Sequence, residues 1–85
     1  MSYNYQTERP KVFTDDGQRI FLKIRDRANK LLAEAGAFRM NEVTREVGGD
    51  SWMQLACVDR LVELKEIREI NYGECPGQYR IFVRY

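Results

Sequence analysis

The sequence predicts an α+β domain in which three helices are followed by a C-terminal β-hairpin that packs back on them. Three observations predict it. A run with apolar residues at intervals of three and four occupies residues 15–35, and a second such run follows Ser51. The chain then closes on Tyr79-Arg80-Ile81-Phe82-Val83-Arg84-Tyr85, whose alternation and β-branched and aromatic content suit a strand. With 85 residues, 44% of them hydrophobic and 32% charged, this is one domain with an ordinary globular balance. So short a chain buries a modest share of its surface, so its core must be efficient or supplemented by a partner.

Residues 1–13 are polar and aromatic, and Pro10 is expected to interrupt any helix there. They read as a flexible or loosely docked N-terminal arm, with Val12 and Phe13 as docking points, ahead of a domain spanning residues 14–85. The first helix starts near Asp15 or Asp16, where Asp15 and Gln18 have capping-box spacing. Ile20, Phe21, Ile24, Ala28, Leu31, Leu32 and Ala35 form its buried stripe, and Gly36 supplies a left-handed stop. Off that stripe, Arg19, Lys23, Arg27 and Lys30 recur as a basic ridge.

Residues 37–40 form a short extended connection, after which Asn41 caps a brief second helix running to Val47. Val43 and Val47, four apart, face the core together. Gly48, Gly49 and Asp50 break that helix with a tight turn. Ser51 and Gln54 open the third helix with capping-box spacing, and Leu55, Val58, Leu61 and Val62 share its inner face. A short strand around Ile67 and Ile70, the Gly73/Pro76/Gly77 loop and the closing strand make the hairpin, which must pack on the helices because an isolated hairpin is marginal.

Charge and cysteine content narrow the function. Fourteen basic residues against thirteen acidic ones leave a net charge of +1, so any nucleic-acid footprint must be a local patch. There is no histidine, which removes the commonest general base, and two cysteines cannot supply a structural zinc site. The opening Met1-Ser2-Tyr3-Asn4-Tyr5-Gln6 has no basic start leading into an apolar run, and no stretch reaches membrane-spanning length. The expectation is a cytoplasmic protein with reduced thiols and no membrane partner.

The order of elements resembles the winged helix-turn-helix superfamily. The run Phe38 to Val47 resembles the strand and second helix of such domains, Ser51 to Leu64 the third, recognition helix, and Lys65 to Ile70 the exit into the wing. Many family members have glycine at that exit, where this chain has Glu66. The resemblance covers roughly residues 15–85 and implies a third helix in the DNA major groove with a wing on the backbone or minor groove. Carried over residue by residue, it makes Ser51, Trp52, Gln54 and Asp59 candidates near base edges, and Thr44, Arg45, Arg68, Arg80 and Arg84 candidates for phosphates. Each has a plainer reading: Ser51 and Gln54 as caps, Trp52 as an anchor in the core or an interface, the arginines as solvated charges. Asp59, Glu63, Glu66 and Glu69 oppose DNA unless turned away.

Thr14-Asp15-Asp16 and Glu74-Cys75-Pro76-Gly77 are the clusters that invite a catalytic reading. Adjacent aspartates at a helix start complement its dipole, and no histidine can activate Cys75. No phosphate-binding loop follows a strand, so the expectation is a non-enzyme without cofactor. Two functions remain. One is a small DNA-binding transcriptional regulator; the other is a protein-interaction or oligomerisation module, including a homodimer, anchored by Trp52, Met53, Tyr79, Phe82 or Tyr85.

Overall fold

A computed structural model describes residues 2–70 and 79–85. The expected Gly73/Pro76/Gly77 loop and the Glu74–Gly77 cluster lie outside the described residues. The order is α1 (Tyr5–Val12), α2 (Asp15–Ala35), β1 (Ala37–Arg39), α3 (Met40–Thr44), α4 (Ser51–Glu63), β2 (Ile67–Glu69) and β3 (Ile81–Arg84). Four helices and a three-stranded antiparallel sheet thus form a small α+β domain.

Helix α1 forms through Pro10, which was expected to forbid it. Proline removes one N–H and one intrahelical bond, but in an eight-residue helix this falls near the end. Asn4 caps the start by accepting from the Thr7 N–H, and Val12, fully buried, anchors the other end in the core. Thr14, not Asp15, caps α2, its hydroxyl accepting from the Gly17 N–H at 3.0 Å. Gly36, at φ 78°, closes α2 in the left-handed conformation.

The connection after Gly36 is a strand in its own right. β1 pairs with β3 in the register Ala37–Val83, Phe38–Phe82 and Arg39–Ile81, and β2 pairs with the other edge of β3. The expected hairpin therefore becomes a sheet of order β1-β3-β2. Phe38, Phe82 and Ile67 are buried on its inner face, with the two phenylalanine rings stacked 5.4 Å apart. Phe82 is thus a core residue, not an exposed anchor.

α3 begins at Met40 and ends at Thr44, shorter than the run to Val47 that the sequence suggests. Val43 and Val47 are nonetheless both buried, Val47 from the following turn. Asp50, not Ser51, caps α4, accepting from the Met53 N–H at 2.9 Å. The buried face of α4 is Ala56, Cys57, Val58 and Leu61, while Leu55 and Val62 are only partly buried. The core face is rotated from the expected one because α4 lies between two helices, α1 as well as α2.

Candidate functional site

Helix α4 and the sheet carry most of the candidate residues, and hydrogen bonds within the domain already occupy several of them. Asp59 accepts from the Tyr3 hydroxyl at 2.8 Å and from both terminal nitrogens of Arg80, at 2.7 and 3.3 Å. Arg80 turns its other edge to Glu69, at 3.0 and 3.2 Å, and its guanidinium lies 5.1 Å from the Phe82 ring centroid. This chain of contacts ties the N-terminal segment, α4, β3 and β2 together. The plane of Arg80 is filled by two carboxylates, so this arginine is not a free phosphate ligand.

One turn along, Glu63 accepts from the Tyr5 hydroxyl at 2.7 Å, from Arg9 Nε at 3.0 Å and from Arg60 at 2.8 Å. These three donors hold its carboxyl down at about 2. Partial burial, with the bond to Glu63, pushes the Tyr5 phenol up to about 12. Burial and the bond to Asp59 push Tyr3 up further still. Arg9 and Arg60 also sit 5.0 Å from the Phe13 ring, one cation–π contact each. The acids that opposed nucleic acid on α4 are thus neutralised within the fold.

The remaining candidates are dispersed. Gln54 donates to the Gly48 carbonyl at 2.7 Å, and the Thr44 hydroxyl to that of Met40 at 3.0 Å, so both serve local structure. Ser51 is exposed and Trp52 half-buried. By helical spacing Trp52 lies on the same side of α4 as Leu55, Asp59 and Val62, a side that Tyr3 and Arg80 partly cover through Asp59 and whose Leu55 and Val62 pack against the core. Arg68 and Arg84 are exposed on the sheet and form no ion pair among the described residues. In the basic ridge, Arg19 pairs with Asp16 at 3.1 Å and Arg27 donates to the Glu42 carbonyl at 2.8 Å. Lys23 and Lys30 remain exposed. The ridge therefore borders α3, while Arg80 is turned to α4.

Arg45 lies in a cleft of about 530 Å³ formed by Ala37, Phe38, Arg39, Asn41, Glu42 and Ile81. The sequence singled out Arg45 but not Arg39, because nothing in the local pattern brings a strand residue beside the end of α3. The sequence offers Tyr3, Tyr5 and Arg9 only as part of a binding tail; their contacts with Asp59 and Glu63 depend on the N-terminal segment packing on α4. Cys57 is buried among apolar neighbours, which pushes its thiol up to about 12 and leaves it inert at neutral pH. Among the described residues no group of acids and cysteines is placed to hold a metal, and no helix is long and apolar enough to cross a membrane.

Comparison with protein-family models, curated proteins and solved structures finds no match to this chain.

Proposed function

We propose that the chain is a winged helix-turn-helix domain serving as a non-catalytic protein-interaction module. The helix–strand–helix–helix–hairpin order from α2 to β3, with β1 joined to the hairpin, supports the scaffold. The observation that carries the function is the Trp52 side of α4. A DNA-reading helix needs polar and basic side chains free to reach base edges and phosphates. Here Gln54 and Asp59 are hydrogen-bonded within the domain, and Arg60, the helix's basic residue, is bound to Glu63 and stacked on Phe13. What remains partly exposed on this side is Trp52, with Leu55 and Val62 packed at the margin of the core beside it, an apolar set that suits a protein contact.

DNA binding is the second reading, favoured by Lys65, Arg68 and Arg84, which are exposed and without an ion pair among the described residues. A titration against mixed-sequence duplex at about 50 and 200 mM salt separates the two. Three phosphate contacts give a slope of log K against log salt of about −3. The interaction reading expects no association at either salt concentration; binding with such a slope overturns it.

A further inference from the structure

The outer face of the sheet pairs an apolar centre with an arginine rim. Side chains alternate along each strand, so the register places Ala37 and Arg39 of β1, Ile81 and Val83 of β3 and Arg68 of β2 on one face. Ile70 joins them, since its N–H donates to the Ile81 carbonyl, and it is 41% exposed. The helices bury the opposite face, through Phe38, Phe82 and Ile67. The outer face keeps Ala37, Ile81 and Val83 half-buried and Arg39 and Arg68 exposed, and it runs into the cleft beside Arg45.

Charge decides what fits there. Arg39, Arg45 and Arg68 make no ion pair among the described residues. Glu42, the acid lining the cleft, accepts from the Arg39 N–H at 2.8 Å and keeps its charge, against the two arginines Arg39 and Arg45 that line the cleft with it. A second copy would set arginine against arginine. A nucleic-acid backbone satisfies the cations but leaves the apolar centre and cleft floor against phosphate, with nothing to fill them. An extended segment with acidic side chains at i and i+4 and an aliphatic one at i+2, all on the same side of the chain, satisfies both.

We infer that the outer sheet face docks an acidic, leucine- or valine-bearing extended segment of a partner protein, its carboxylates on Arg39, Arg45 and Arg68 and its aliphatic side chains over Ala37, Ile81 and Val83. This deepens the protein-interaction reading by naming the chemistry of the partner. The spacing is consistent with it. Arg39 and Arg68 lie on the two outer strands, offset by two residues, which puts their Cα atoms roughly 12 Å apart. Carboxylates four residues apart on an extended chain lie about 13 Å apart.

The test is a titration of the isotope-labelled full chain, read by amide shifts, with the blocked peptide Glu-Ser-Glu-Ser-Leu-Ser-Glu, whose acidic and aliphatic side chains share one side when extended. Its Gln-Ser-Gln-Ser-Leu-Ser-Gln counterpart and a mixed-sequence duplex are the other arms. The acidic peptide is expected to move the amides of Ala37, Arg39, Arg68 and Val83, and the neutral one to leave them in place. In the double variant Arg39→Gln/Arg68→Gln, whose positions are exposed, the apparent affinity falls about tenfold or more, and unchanged amide dispersion elsewhere shows that the fold is kept. No movement at these amides up to about 5 mM, or equal movement with the neutral peptide, overturns the inference. So does movement by duplex alone, which would assign the face to nucleic acid. If the acidic peptide moves the sheet amides while duplex binds elsewhere with a steep salt slope, the interaction reading of α4 fails and the sheet-face assignment stands.

Discussion

Gly17 sits in the first turn of α2 where the end of α1 crosses it. A Cβ there would fall on the Lys11 carbonyl oxygen and 2.6 Å from that of Val12, both backbone atoms that cannot swing aside. Gly17→Ala should therefore push α1 off α2 and cost roughly 3 kcal/mol, as overpacking against a rigid neighbour does. Urea unfolding of the two proteins measures it, and a loss below about 0.5 kcal/mol would show that α1 is not held at this crossing. Lys65 presents the reverse case. It closes α4 with φ 61°, its N–H on the Val62 carbonyl and that of Glu66 on the Leu61 carbonyl, a left-handed helix stop normally made by glycine. Lysine thus occupies the left-handed position that glycine would adopt without strain, just before Glu66. Lys65→Gly should stabilise the domain by about 1 kcal/mol, raising the urea midpoint without changing the slope. A lower midpoint would mean that the Lys65 side chain contributes more than its backbone strain costs.

Between elements, the unit that decides the architecture is α1 against α4, and it is the part least legible in the sequence. Apolar periodicity marks α2, the α4 region and β3 because each signal lies within one element. Residues 1–13 carry one fully buried anchor, Val12, beside a proline, and their other contacts are made by Tyr3, Tyr5 and Arg9 to acids more than fifty residues away. No spacing rule links such positions. The same distance effect hid Ala56 and Cys57 in the core and left Leu55 and Val62 at its margin. It also turned Arg80 from a candidate phosphate ligand into a tie between α4 and the sheet. Caps were misplaced by one residue at α2 and α4 because Thr14 and Asp50, each adjacent to the expected cap, accept the first N–H groups instead. The α1–α4 contact also predicts a pH response. The Glu63 carboxyl titrates at about 2 in the folded chain against an ordinary value near 4.5, so the folded state favours its charged form. Its contribution is complete above pH about 4.5 and is lost as pH falls toward 2. The difference in denaturation midpoint between the parent chain and Glu63→Gln should be constant from pH 8 to 5.5 and shrink between pH 4.5 and 2. A difference that stays constant across that window would place Glu63 outside the ionic cluster in solution.

At the scale of the whole molecule, charge and apolar surface are sorted in a way the near-zero net charge conceals. Asp59, Glu63 and Glu69 are neutralised within the fold, arginines rim the outer face of the sheet, and α4 leaves Trp52 half-buried with Leu55 and Val62 at the margin of the core. The helix-plus-sheet class was legible because it follows from element order; the surfaces were not, since they depend on which arginine meets which carboxylate across the chain. If α4 is a contact surface, two copies meeting on it form a two-fold pair in which each Trp52 enters the same environment. Three half-buried side chains per partner fall well short of the roughly 800 Å² that a stable interface covers on each side. Self-association through α4 should therefore be weak, with a dissociation constant above about 10 μM. Trp52 is the chain's single tryptophan, so its emission reports this site alone. Raising the concentration from about 5 to 500 μM should shift that emission to the blue while the sedimenting mass rises toward twice the monomer. Trp52→Ser should hold the mass at that of the monomer without lowering thermal stability by more than about 1 kcal/mol. A mass that stays monomeric throughout, with unshifted emission, would remove α4 as a self-contact and leave it, like the arginine-rimmed sheet face, open only to a different protein.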